Sequence, residues 1–404
     1  MKHLKKFFLV TIMLFCFTFF TSAQVQEKEK SEGYNFTTTK ELKYTPVKNQ
    51  NRSGTCWTFS SLGFLECELL RKGKGEFDLS EMWIVKHAYS DKADMYVRMH
   101  GNWNFAAGGG FLDVFALIDK YGIVPESTFK GDAYGEELPV HNELDAILKA
   151  YLDVVISNPN KKLTTAWKKG FDAILDSYLG NYPEKFAYNG KEYTSASFTA
   201  SLGLNLNDYI SITSFMHHPF YSKFALEIPD NWMMESSYNV PLDEMMKIIN
   251  NAIDNGYSVA WAADVSDKGF NWKKGVAVLP EKDVESMAGS DRARWENLSQ
   301  GEKNDELYKF DKPGKEKTIT QEIRQQAFDD YSTTDDHGMV LVGKATDQNG
   351  TPYFIVKNSW GTDSRNPYKG FFYASEPFVA MQTIGIVVHK DAISADIKKK
   401  LGIN

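Results

Sequence analysis

Gln50-Asn51-Arg52-Ser53-Gly54-Thr55-Cys56-Trp57 is a polar loop that runs into a helix. From Cys56 to about Arg71 the residues are good helix formers, with Phe59, Leu62, Leu65 and Leu69 at helical spacing and Gly73 as a stop. Thr58, Ser60, Ser61 and Gly63 are small, so this helix suits a deep position between neighbouring elements. Cys56 falls in its first turn, where the positive end of the helix dipole favours thiolate over thiol. A thiolate that attacks a carbonyl carbon needs donors for the resulting oxyanion. The side-chain amide of Gln50 and the backbone N–H of Cys56 are candidates.

Working outward, the end of the chain is β-like. His337 to Val342 and Tyr353 to Lys357 flank Asp347-Gln348-Asn349-Gly350, a strong hairpin signal that folds His337 back toward Asn358. Histidine near neutral pH can hold the positive charge that balances a thiolate and then deliver a proton to a leaving amine. Asn358 can accept a hydrogen bond from the imidazole, and Trp360 can shield that bond from water. Cys67, by contrast, reads as a small buried hydrophobe.

Composition frames these residues. A hydrophobic content of 42% over 404 residues allows a large core and one big or two ordinary domains. Residues 1–23 read as an export signal, with Lys2, Lys5 and Lys6, then the short apolar run Phe7 to Phe20, then Thr21-Ser22-Ala23. Cleavage there lowers 46 basic side chains to 43 against 53 acidic ones, a net of -10, which argues against nucleic acid as the main partner. The expected protein is exported, periplasmic or secreted, with no membrane segment once the signal is removed. It has no disulfide framework, because Cys56 and Cys67 on one helix stand about 16 Å apart along its axis.

Along the chain, residues 24–40 read as a flexible polar stretch and 24–130 as a helical lobe with the nucleophile helix. Residues 131–205 read as a helical insertion, and 206–404 as a β-rich lobe with a charged, solvated insertion over about 267–330. His217-His218 invites a metal reading. Adjacent histidines on a strand point to opposite faces, however, so no metal and no cofactor is expected.

The segments Gln50 to Trp57, His337-Gly338-Met339 and Lys357-Asn358-Ser359-Trp360-Gly361 together resemble the papain family's cysteine, histidine and asparagine segments. Gly108-Gly109 is similar to that family's double glycine, whose backbone binds the substrate chain. Histidine follows cysteine by about 130–150 residues in papain-like enzymes, but here by 281. That excess, with Val47-Lys48-Asn49-Gln50, His218-Pro219-Phe220-Tyr221 and Tyr238 to Leu242, resembles the bleomycin hydrolase and aminopeptidase C branch. The resemblance implies an α+β, papain-like two-lobed fold, with a helical lobe, a β-barrel-like lobe and a helical insertion. It also implies peptide substrates, an acyl-enzyme route and assembly as a homo-hexamer. Ala107 and Gly110 depart from the acidic residue and glutamine usual around the double glycine.

An aminopeptidase is the leading expectation. An endopeptidase on the same fold, or a non-catalytic peptide- or nucleic-acid-binding ring, stays open beside it. In the resembled branch the chain's own C-terminal arm lies in the cleft. Here only His389 to Asn404 follow the last strand, so the cleft is expected to be open and to admit internal cuts.

Overall fold

The structure is a computed structural model that describes residues 33–403 except 283, 286, 363 and 364; the export signal expected at 1–23 lies outside the described residues. Strand β1 (Thr37–Glu41) is followed by helices α1 (Cys56–Arg71), α2 (Glu81–Arg98), α3 (Phe111–Tyr121), α4 (Asn142–Ile156) and α5 (Ala166–Leu179). A hairpin, β2 (Phe186–Tyr188) and β3 (Lys191–Tyr193), leads to α6 (Ser195–Leu202) and then to β4 (Tyr209–Thr213), β5 (Lys223–Ala225) and β6 (Ser236–Asn239). Helix α7 (Leu242–Asp254), β7 (Val259–Ala263), β8 (Phe270–Asn271), β9 (Val276–Ala277), α8 (Gly289–Glu296), α9 (Gln300–Leu307) and α10 (Gln321–Asp329) come next. The chain closes with β10 (His337–Thr346), β11 (Pro352–Lys357), β12 (Phe371–Ser375), α11 (Glu376–Gln382), β13 (Thr383–His389) and α12 (Ala395–Leu401).

The strands other than β2 and β3 form one sheet in the order β5-β6-β4-β13-β7-β10-β11-β12-β9-β8, with β1 on β10. Most pairs are antiparallel; β4 with β6 and β9 with β12 are parallel. The β10–β11 hairpin turns on Asp347, whose Oδ1 accepts from Asn349 N (2.8 Å) and Thr351 N (2.9 Å). Gly350 takes the positive φ the turn needs. Its register sets Val340 opposite Lys357, which puts His337 and Asn358 at the same end of the hairpin.

Helix α1 lies within the core on one face of the sheet. Leu62, Phe64 and Leu65 pack with α2 to α6, while Val340, Val342 and Val387 of the sheet join the same cluster. A second core sits on the other side of the sheet, where Met245, Ile248 and Ile249 of α7 and Ile397 and Leu401 of α12 meet Trp261, Phe354 and Phe372. Every residue of α1 from Trp57 to Leu69 is buried, including Glu66 and Glu68. Glu66 is satisfied by Thr45 Oγ1 (2.6 Å), Leu79 N (2.9 Å) and Lys48 Nζ (3.2 Å), so the buried carboxylate does not stand alone. Helix and sheet meet closely at Gly338, where an added Cβ would stand 2.5 Å from Ser60 Oγ and 3.2 Å from the Phe111 ring.

Three expectations need correction. The segment read as flexible over 24–40 contains β1, an exposed edge strand of sequence Thr-Thr-Thr-Lys-Glu with no apolar alternation to announce it. The insertion read as helical over 131–205 also holds the β2–β3 hairpin around Asn189-Gly190, whose strands are three residues each. The charged stretch is solvated over α8 and α9, which have no buried residue, but not at α10. There Arg324 is 1% exposed and donates to Ser214 O (2.9 Å), Ala380 O (3.2 Å), Met381 O (2.9 Å) and Thr383 O.

Gly338→Ala is expected to destabilise the fold by about 1–3 kcal/mol, because the added methyl overpacks the helix–strand contact. Denaturant unfolding of this variant and of Gly338→Ala with Ser60→Ala checks it: removing the Ser60 hydroxyl should recover part of the loss. An unchanged midpoint for the single variant would contradict the close contact.

Candidate active site

The loop 50–55 delivers Cys56 to the start of α1, where the first N–H groups of the helix have no intrahelical acceptor. The sulfur is half-buried and takes hydrogen bonds from the backbone of Gly338 and Trp57. Burial pushes its pKa up to about 12, with the charges of Asp335 and Asp230 adding to the rise. Trp57 points the other way, its Nε1 donating to Ala107 O at 2.9 Å and its ring lying where a Cβ on Gly109 would come within 2.9 Å. A Cβ on Gly54 would stand 2.6 Å from Ala107 Cβ. The segment 106–110 is therefore clamped against the nucleophile loop, and Gly109 and Gly54 are glycine for lack of space.

His337 opens β10, and its Nε2 donates to Asn358 Oδ1 at 2.7 Å. The same Oδ1 accepts from Ser359 N at 2.7 Å, which settles the orientation of the carboxamide, since an N–H must face an oxygen. An Nε2–H committed to Asn358 leaves Nδ1 as the lone-pair nitrogen of the neutral ring. Trp360 covers the imidazole with ring centroids 4.8 Å apart. Burial lowers the His337 pKa to about 4, and the Asn358 hydrogen bond opposes that shift. Thiol and imidazole are each held neutral by burial. A proton passed from thiol to imidazole within the shared cleft creates opposite charges that offset each other's burial cost.

Gln50 is buried, and its amide is held at both ends: Oε1 accepts from Ser359 Oγ (2.7 Å) and Nε2 donates to Ser53 O (3.1 Å). The second proton of that Nε2 is free to bind an oxyanion. Ser359 thus touches both the imidazole's partner and the oxyanion donor, a role the sequence reading did not assign it, although it lies next to Asn358. Cys56, His337, Gly109, Asp113, Asp230 and Asp335 line one cleft. Asp335 stands two residues before the histidine. Asp230, far away in the chain, gives no local sign of its position. Cys67 is buried and apart from the cleft.

The reasoning about His217-His218 does not hold, because these residues lie in a turn rather than a strand. Both rings reach Glu227, with His217 Nε2 at 3.1 Å and His218 Nε2 at 2.7 Å from its carboxylate. The three ligand atoms are close enough together to hold a metal ion. His217 Nδ1, however, faces the amide nitrogen of Gln325 at 3.1 Å, which needs a lone pair there and leaves the proton on Nε2.

The chain belongs to the Peptidase C1-like family, whose model matches residues 10–292 and 281–403, and it is a papain-like cysteine peptidase. It is similar to Aminopeptidase C of Streptococcus thermophilus, 26% identical over 93% of this chain and 86% of that relative. It is also similar to Aminopeptidase C of Lactococcus lactis subsp. cremoris, 23% identical over 88% of this chain and 83% of the relative. Among solved structures it resembles pepw from Lactobacillus rhamnosis with a TM-score of 0.67 and 22% identity, covering 91% of this chain and 84% of that one.

The burial account of His337 has a measurable consequence. A histidine whose folded pKa lies below the ordinary 6.5 contributes stability that is complete above pH 6.5 and is lost as pH falls toward 4. In Cys56→Ala, where no thiol can share its proton, NMR titration of the His337 ring is expected to give a midpoint near 4. A midpoint at or above 6.5 would show that burial does not control this imidazole.

Proposed function

We propose that this chain is an exported cysteine aminopeptidase that removes residues from the amino end of peptides through a thioester acyl-enzyme. The observation that carries the reading is the His337 Nε2 to Asn358 Oδ1 bond at 2.7 Å, beside a cleft that both Cys56 and His337 line. In the proposed cycle the Cys56 thiol gives its proton to His337 Nδ1, and the thiolate attacks the scissile carbonyl carbon. The resulting oxyanion is held by the Cys56 N–H and Gln50 Nε2. The C–N bond then breaks as His337 returns the proton to the leaving amine. Water, deprotonated by His337, attacks the thioester and releases the acid and the thiol. Gly108 and Gly109 supply the backbone along which the substrate lies.

The names of the relatives favour the exopeptidase form over the endopeptidase. So does the cleft itself, although not through the tail. Among the described residues, α12 packs with α7 on the far side of the sheet, and Lys400 pairs with Glu244 there. Leu226, Ile228, Asp230, Asn231 and Glu235 of one loop line the cleft, and Asp230 rests against Gly108. Export through residues 1–23 and assembly as a homo-hexamer complete the reading. A net charge of -10 after export stands against a nucleic-acid-binding ring.

Cys56→Ala and Cys56→Ser are expected to abolish hydrolysis, while Cys67→Ala leaves it largely intact. Equal loss in both sites would remove Cys56 from the nucleophile's place. Gln50→Ala should lower kcat by about 10² to 10³ with little change in KM, from the loss of one oxyanion donor. An effect confined to KM would assign Gln50 to ground-state binding.

The dependence of kcat/KM on pH should be bell-shaped, its acid limb reporting formation of the thiolate–imidazolium pair and its alkaline limb the loss of the shared proton. Chelators should not inhibit. A requirement for added divalent metal would replace the thiol mechanism with a metal-activated water.

A further inference from the structure

Among the described residues, the cleft that holds Cys56 and His337 is lined by five carboxylates, Asp113, Asp230, Glu235, Asp335 and Asp336, and by no lysine or arginine. Asp336 is engaged by Thr334 Oγ1 (2.9 Å) and Ser266 N (3.2 Å). Among the described residues, the carboxylates of Asp230 and Asp335 have no hydrogen-bond partner. Lys92 is the cation that reaches Asp113 and Asp230, yet its ammonium is already committed to Ala106 O (2.8 Å) and Gly108 O. Asp113 is 1% exposed; its Oδ2 accepts from Gly110 N at 2.8 Å, and its Oδ1 is buried with no partner among the described residues. A buried carboxylate oxygen without a donor, in a cleft walled by further carboxylates, points to a cationic ligand.

The position of Asp230 narrows that ligand. A Cβ on Gly108 would stand 2.0 Å from Asp230 Oδ2, so the carboxylate rests on the Gly108 backbone next to Gly109. Its loop is a fixed wall. Asn104 Nδ2 donates to Pro229 O (2.7 Å) and Trp103 Nε1 to Trp232 O (3.0 Å). Asn231 Nδ2 ties Leu226 O (3.0 Å) to Glu235 O (3.0 Å). If the enzyme removes residues from the amino end, a peptide laid along Gly108-Gly109 with its scissile carbonyl at Cys56 meets this wall with its amino end.

On the peptidase reading above, we propose that Asp230, faced by Asp335 on the His337 side of the cleft, receives the substrate's α-ammonium group and so counts residues from a free amino terminus. The C-terminal arm is then not needed for that task. Asp335, pushed up to about 8 by burial and by the nearby charge of Asp230, is a group that a bound ammonium would return to its ionised form.

The test compares one peptide with a free and with an acetylated amino terminus, on the full chain and on Asp230→Asn, an isosteric change. The thermal midpoint and the rate of Cys56 alkylation by iodoacetamide serve as measures of an intact site. The expected result is a clear wild-type preference for the free amine, with the ratio of the two kcat/KM values falling about 10- to 100-fold in Asp230→Asn. Asp335→Asn should reduce the ratio in the same direction. A preference unchanged in Asp230→Asn, or both peptides falling alike together with the alkylation rate, overturns the assignment. Wild-type turnover of both peptides at equal rates overturns it as well and leaves the peptidase reading standing. Turnover of neither peptide by the wild type removes the peptidase reading itself and the assignment with it.

Discussion

The approach of α1 to the first residues of β10 governs the rest of the cleft. Ser60 and Gly338 meet where no side chain fits between them, and that contact sets the helix bearing Cys56 against the strand bearing His337. A helix this deep cannot be amphipathic in the ordinary sense. Its small residues face close neighbours, and its acids are answered by buried donors, as Glu66 is by Thr45, Leu79 and Lys48. Helix and hairpin are each local in sequence. The chemistry arises because they are pressed together.

This explains what was legible in the chain and what was not. The helix from Cys56, the hairpin around Asn349-Gly350 and the pairing of His337 with Asn358 follow from local periodicity and turn chemistry, which one sequence displays. The wall at Gly108 does not, because Asp230 reaches it only through a loop held by Asn104 and Trp103, and no spacing rule links those positions. Strand β1 was invisible for a different reason: an exposed edge strand is specified by its partner's free hydrogen-bonding groups rather than by apolar alternation. His217 and His218 were misread because a strand was assumed where the backbone turns.

The same cleft shows how stability is set against use. A buried carboxylate oxygen without a donor among the described residues, such as Asp113 Oδ1, weakens a fold, as does an imidazole deprived of water. Surrounding structure has to hold them in place, and here it does so with bonds that have no part in the reaction, among them Trp57 to Ala107 and Ser359 to Gln50. These contacts keep the groups aligned while leaving their reactive atoms unengaged.

Arg324 gives the charged insertion a meaning that its composition hides. Its guanidinium grips backbone carbonyls at Ser214, Ala380, Met381 and Thr383, sites brought together from distant parts of the chain, with no carboxylate paired to it among the described residues. The segment that looks most like a removable cassette is therefore a keystone at its C-terminal end. Excision of α8 and α9 would cut only surface, but excision through α10 would strip four carbonyls of their donor and leave the junction of α11 and β13 unsupported. Any shortened homologue that keeps this sheet must retain a donor in that place.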